Sequence, residues 1–213
     1  MPAEAPTVHA LLQVPDLDAL VWEARRPRWA APALERAPWT VVRRATPRLG
    51  LLPVGVRGRL RSQRCAAWLP QRAYQACITP QMLAAARRWR QHASGAPTPA
   101  IGVLDEVAVI LAAHGLADHW GPGGSVGFEL ASGVPVTRVD SDLDLVLSAA
   151  ASMAQLDAAR LHTDLCKLRV RIDVLLETPH GAVALAEYAN NTGAMLLRSA
   201  HGPRLVRDPW GAD

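Results

Sequence analysis

The run Val139-Asp140-Ser141-Asp142-Leu143-Asp144-Leu145-Val146-Leu147 admits few conformations. Leu143, Leu145 and Leu147 alternate with Asp140, Asp142 and Asp144, and an extended strand separates such residues onto two faces. One face can fill a core, while the other gathers three carboxylates whose repulsion a cation would relieve. We therefore predict a strand over residues 134–147, with Asp142 and Asp144 as its central metal-binding groups. Hard oxygens in this number suit Mg²⁺, which binds through a few carboxylates, water and substrate phosphates. The plainer reading is a solvated acidic strand edge. Asp16-Leu17-Asp18 repeats the same tripeptide, but it follows Pro15 and has no glycine turn upstream.

The surrounding pattern extends this reading. Upstream, Gly121-Pro122-Gly123-Gly124-Ser125 is a turn opening a short helix that ends near Gly133, and free backbone N–H groups at such a start favour phosphate. Downstream, a strand over 169–177 has an apolar face of Val170, Ile172, Val174 and Leu176. Asp173 lies on its other face with Arg169 and Arg171. If the two long strands are neighbours, Asp173 joins Asp142 and Asp144 in a three-carboxylate cluster. The plainer reading of Asp173 is an ion pair with those arginines. Helices are expected over 103–117 and 149–165, and shorter strands around 182–185, 194–198 and 204–206.

The first half reads differently. Clusters such as Trp39-Thr40-Val41-Val42 and Leu51-Leu52-Pro53-Val54 stand between proline-rich turns, a mostly β pattern. Thr79 as N-cap and Pro80 at the first helical position announce a helix to about residue 92, and residues 94–99 form a loop. The expected fold is α+β, with a small basic β-rich domain over 1–78 and a mixed-sheet domain with flanking helices over 79–213. Charge divides along similar lines. Residues 1–90 carry a net charge of +10 and residues 91–213 a net of −6, so an anionic partner suits the first part and cations the second.

Other classes recede. No apolar run approaches the roughly 20 residues that span a bilayer. The first six residues have neither a basic start nor an apolar stretch, so no secretory leader is expected. Cys65, Cys77 and Cys166 lack C-x-x-C spacing and read as reduced, buried cytoplasmic thiols rather than zinc ligands. Gly123-Gly124-Ser125-Val126-Gly127 also fits the nucleophile elbow of serine hydrolases, with Asp173 and His180 or His201 completing the chain order. Against it, the segment Trp120-Gly121-Pro122-Gly123 is a poor strand, and Asp142 and Asp144 would go unexplained. His9, His92 and His162 read as surface or half-buried residues, and His114 and His119 are too far apart for a helical metal pair.

A glycine-serine turn, a D-x-D strand and a third acid on a neighbouring strand resemble the nucleotidyltransferase pattern. A longer resemblance is more specific. The strings 121–130, 141–145, 53–58 with Arg61, Gln63 and Arg64, 177–182, 187–188, 202–205 and 208–210 resemble the phosphoribosyl-dephospho-CoA transferases that act on malonate decarboxylase. The resemblance implies transfer of a phosphoribosyl-dephospho-CoA group from 2′-(5″-triphosphoribosyl)-3′-dephospho-CoA to a serine of the malonate decarboxylase acyl carrier protein, with release of pyrophosphate. In that reading Asp142, Asp144 and Asp173 hold Mg²⁺, Gly124 and Ser125 hold the outer phosphates, and Arg57, Arg61 and Arg64 contact phosphate or carrier. A nucleotidyltransferase with another acceptor would keep the same site. A nucleic-acid-binding module could use the basic half but would not need three aligned aspartates.

Overall fold

The computed structural model describes residues 5–91 and 97–211. In the first half the β-branched and aromatic clusters form β1 (Leu11–Gln13), β2 (Val21–Trp22), β3 (Trp39–Val42), β4 (Leu51–Arg57), β5 (Arg64–Pro70) and β6 (Ala76–Ile78), with helix α1 (Ala30–Arg36) between β2 and β3. They pair antiparallel in the order β2-β5-β4-β3-β1-β6. Helix α1 is absent from the sequence reading. Pro32 falls in its first turn, where the missing N–H breaks no helical hydrogen bond.

Alternation gives this sheet two faces. Leu12, Val42, Val54, Val56, Ala67 and Leu69 pack with Ala30 and Leu34 of α1 as a rear core. Leu11, Trp39, Val41, Ala76 and Ile78 point forward and join the core of the second half. The sheet thus has apolar faces on both sides, and its forward face is one wall of the site.

The second half runs α2 (Pro80–Ala85), α3 (Pro99–Gly102), α4 (Leu104–Ala113), β7 (Trp120–Pro122), α5 (Gly124–Ser132), β8 (Leu143–Ser148), α6 (Gln155–Leu165), β9 (Ile172–Thr178), β10 (Gly181–Ala184), α7 (Leu185–Asn190), β11 (Met195–Ser199) and β12 (Gly202–Val206). Its sheet has the order β12-β11-β10-β9-β8-β7; β8 and β9 are parallel across the α6 crossover, and the other pairs are antiparallel. The fold is α+β, with a β-rich first half and a mixed sheet with helices in the second. Leu143, Leu145 and Leu147 are at most 1% exposed. Each contributes about 2 kcal/mol of apolar burial.

Several expected boundaries are corrected. The strand expected over 134–147 begins only at Leu143. Residues 134–138 are instead a loop, because the buried Glu129 carboxylate accepts hydrogen bonds from Val136 N at 2.8 Å, Thr137 N at 2.6 Å and Thr137 Oγ1 at 2.7 Å. Asp140 consequently stands on an exposed turn and Asp142 just ahead of β8. The strand expected from 169 starts at Ile172, the helix expected from 149 starts at Gln155, and the helix expected over 103–117 is α4, which ends at Ala113 and is preceded by the unexpected α3. Thr79 caps α2 by accepting from Met82 N, as the sequence predicts, but α2 stops at Ala85 and a 3₁₀ turn at Arg88–Gln91 follows. The break lies at Arg87, whose φ of 44° is left-handed. Residue 92, the expected helix end, and residues 94–96 of the expected loop lie outside the described residues; Thr98 and Pro99 begin α3. Cys65 and Cys77 are half-buried, whereas Cys166 is exposed, contrary to the reading of three buried thiols.

Candidate active site

Gly121, Gly123, Gly124 and Gly127 let the chain fold tightly over β8. Strand β7 pairs Gly121 with Val146 and Pro122 with Leu145, and Gly123 N donates to Asp144 O at 2.8 Å. Gly124 then opens α5 with φ +54°, and a Cβ there would sit 1.8 Å from Asp144 Oδ2. Only glycine leaves room for that carboxylate. The helix start and the aspartate are therefore in direct contact, and Ser125 follows on the first turn, half-buried.

Parallel pairing sets Asp144 directly opposite Asp173. Asp144 is on the exposed face of β8, its carboxyl crowded by the start of α5. Desolvation there and the facing Asp173 charge raise its carboxyl above the ordinary range, with Asp142 adding to the rise and Arg64 and Arg57 opposing it. Two acids held together against their repulsion, one of them desolvated, form a site poised to take up positive charge. Asp142 is within electrostatic reach of Asp144 but off the strand. Asp140 is exposed on its turn. Asp173 also makes the ion pair that the plainer reading expects, with Arg171 Nη2 at 3.2 Å; at 72% and 49% exposure that pair is weakly held.

The basic residues come from the other sheet. Arg57 ends β4 and pairs across the hairpin with Arg64 at the start of β5, while Arg61 is exposed on the turn between them. Arg57 lies over the Phe128 ring of α5, 5.8 Å from its centroid. Burial, then Arg64, lower its pKa, with Asp144 opposing. None of the ion pairs among the described residues uses Arg57, Arg61 or Arg64. A cleft runs between the sheets in two parts. A chamber of about 410 Å³ continues into a groove of about 450 Å³ lined by Asp144 and Asp173, and His9, Arg64, Gly123 and Gly124 border both. Arg61 is not on either wall.

Trp120–Pro122 is a regular, if short, strand, so that objection to a nucleophile elbow is corrected. The partners for one are not in place, however. His201 Nδ1 faces Thr46 Oγ1 at 3.3 Å. His180 lies beyond the far end of β9, about 20 Å of extended chain from Asp173.

Residues 7–80 match the model of the phosphoribosyl-dephospho-CoA transferase MdcG N-terminal domain, and residues 82–209 that of the MdcG C-terminal domain. The chain belongs to the phosphoribosyl-dephospho-CoA transferase family. It is similar to the phosphoribosyl-dephospho-CoA transferase of Pseudomonas putida, at 43% identity over 97% of this chain and 96% of that one. It is also similar to that of Azotobacter vinelandii (strain DJ / ATCC BAA-1303), at 39% identity over 96% and 94%. With that of Klebsiella pneumoniae (strain 342) the identity is 34% over 98% of each. No solved structure matches the chain closely enough to count as a relative. No helix among the described residues is long and apolar enough to cross a membrane.

One feature of this family member escapes sequence reasoning. His9, half-buried within the range the sequence allows, donates from Nε2 to Glu177 Oε1 at 2.8 Å, and Arg44 Nη2 donates to Glu177 Oε2. Burial pushes the Glu177 carboxyl up, but the hydrogen bonds from His9 and Arg44 and their charge outweigh it and hold it below the ordinary range. This latch joins the first sheet to β9 across the cleft. Its partners are 168 and 133 residues apart in sequence, so no local signal points to it. The left-handed φ of 71° at His9 is visible only in three dimensions.

Donor chemistry bears on the metal. Among the described residues no group of three or more His, Cys, Asp or Glu side chains is arranged to hold a metal ion. Two facing carboxylates, one left uncovered by Gly124, still fit Mg²⁺, which completes its shell with water and substrate phosphates.

Proposed function

We propose that the chain transfers a phosphoribosyl-dephospho-CoA group from 2′-(5″-triphosphoribosyl)-3′-dephospho-CoA to a serine of the malonate decarboxylase acyl carrier protein, releasing pyrophosphate. The observation that carries the chemistry is Asp144 facing Asp173 against the start of α5, with its carboxyl raised above the ordinary range. The reading takes residues 1–78 as a basic domain and 79–213 as the catalytic domain. The family relatives' names support the transferred group; the acceptor and the leaving group follow from the resemblance set out above.

In this reading Asp144 and Asp173, with Asp142 beside them, hold Mg²⁺. When bound, the ion neutralises the triphosphate and stabilises charge at the attacked phosphorus. The backbone N–H groups at Gly124 and Ser125, and the Ser125 hydroxyl, hold the outer phosphates. Arg57 and Arg64 close over them from the facing sheet, and Arg61 at the hairpin tip meets phosphate or carrier further out. The incoming serine Oγ forms a bond to the α-phosphorus as the bond from that phosphorus to the oxygen bridging the α- and β-phosphates breaks, the oxygen leaving with pyrophosphate. Asp173 accepts the serine proton, and pyrophosphate departs along the glycine turn.

Pyrophosphate release should require the triphosphate substrate, Mg²⁺ and the carrier together. Release without carrier, or transfer undiminished in excess chelator, would remove this reading.

A further inference from the structure

The transferred group contains a nucleoside, and the site just described holds its phosphates without saying where the base goes. A cross-strand row on the forward face of the first sheet answers this. Ile78, Leu11, Val41, Gly55 and Ala66 stand side by side across β6, β1, β3, β4 and β5. At one end of the row, the large residues close against the core of the second half. At the other, Gly55 and Ala66 leave the strand floor bare. The chamber is this gap, with Phe128 on the opposite wall.

We propose that the chamber is the seat of a purine base, the adenine of the dephospho-CoA substrate. This rests on the transferase reading above. Three observations favour a base over the pantetheine arm. The gap lies between a flat strand floor and an aromatic ring, a slot suited to a planar heterocycle. At Val54 and Gly55 strand β4 is paired on both sides, so the floor there offers a pantetheine amide nothing to pair with. Arg57 at the edge supplies only donors, which suit the ring nitrogens of adenine, while Arg43 beside it is held by Glu23 and Val54 O. Connectivity agrees. In this substrate one ribosyl unit separates the triphosphate from the adenosine, whereas the pantetheine arm lies beyond a further diphosphate. The chamber opens on the carboxylate groove at Arg64, Gly123 and Gly124, where the phosphates sit, so the group nearest them enters it.

The test is equilibrium binding to the full chain, with dephospho-CoA, adenosine 5′-monophosphate, pantetheine and inorganic tripolyphosphate as separate probes. Gly55→Val fills the floor from β4, where even a Cβ would lie 3.2 Å from Val41 Cγ1. Ala66→Leu fills it from β5 and carries the test if the first variant does not fold. The nucleotide should compete with dephospho-CoA, and pantetheine should not. Each folded variant should weaken both adenine-containing probes about tenfold or more, the loss of a stacked base, and leave tripolyphosphate affinity unchanged. Competition by pantetheine but not by the nucleotide overturns the proposal, as does unaltered nucleotide affinity in the folded variants. Nucleotide binding that both variants abolish, in a protein that does not bind dephospho-CoA, leaves the base site standing and removes the transferase reading instead.

Discussion

The tripeptide Asp-Leu-Asp occurs at 16–18 and again at 142–144, and the two copies meet opposite surroundings. In the first, Asp16 caps a 3₁₀ turn by accepting from Asp18 N, and Asp18 is 93% exposed with Arg26 at 3.8 Å. Its charges are spent on local hydrogen bonding and on water. In the second, Asp144 sits in a parallel register against Asp173, with a glycine helix start closed over its carboxylate. The comparison teaches that the motif itself carries no function. What confers it is desolvation beside a second acid, and that comes from residues 124 and 173.

The largest expected effect therefore separates the two copies. Asp144→Asn should lower transfer about a thousandfold or more, because the amide keeps shape but loses several kcal/mol of metal-mediated stabilisation. Asp142→Asn and Asp173→Asn should each be severely impaired. Asp16→Asn and Asp18→Asn should transfer at the wild-type rate. Steady-state pyrophosphate release across the five variants checks this, and thermal melting should show Asp144→Asn no less stable than wild type, since a repulsion has been removed.

Next in size is Gly124→Ala. Its Cβ would overlap Asp144 Oδ2, and its φ is left-handed, so the lid and the acid must separate. Transfer should fall about a hundredfold. An active Gly124→Ala would show that the tight closure does not matter.

The latch across the cleft should matter more to stability than to chemistry. Removing the Glu177 charge with Glu177→Gln strands Arg44 and His9, at a cost of about 2 kcal/mol given partial solvent access. Since the folded Glu177 carboxyl is held below its ordinary 4.5, its contribution is present above that pH and is lost as acid protonates it in the folded state. Denaturant melts of wild type and Glu177→Gln should thus differ at neutral pH and converge in acid. Equal gaps at both would remove the ion-pair account.

Ser125→Ala should reduce transfer by roughly one to two orders, because the backbone donors remain. Complete loss, with labelling of Ser125 by a fluorophosphonate, would favour the hydrolase reading. The smallest effect concerns the basic half. Arg87 and Arg90 are engaged with Asp105, and Trp89 is turned inward against Trp120. Arg88 is exposed and makes none of these pairs. If this face steers an acidic carrier, Arg88→Glu and added salt should raise the carrier KM about two- to threefold and leave that of the small substrate alone. Parallel responses would take the face out of docking.

Much of this was legible in the sequence where the cause is local. The Thr79-Pro80 helix start, the leucine alternation of β8 and the helix opening at Gly124 depend on neighbouring residues, and they stand as read, whereas Gly121 and Pro122 are strand rather than turn. Segment 134–142 was misread as strand because its valines suit one; the deciding contact is a buried carboxylate on another element, Glu129. Arg57 and Arg64 could be named as basic groups, but their place over Asp144 depends on how two sheets meet. His9 was illegible for the same reason.

The most direct test is a calorimetric titration of Mg²⁺ into the chain with inorganic tripolyphosphate present, so that protein carboxylates and phosphate oxygens complete the shell together. Wild type and Asp18→Asn should bind the ion alike, and Asp144→Asn should show no binding beyond that of tripolyphosphate alone. Equal binding by wild type and Asp144→Asn would contradict the assignment of the second Asp-Leu-Asp, at 142–144, as the metal site.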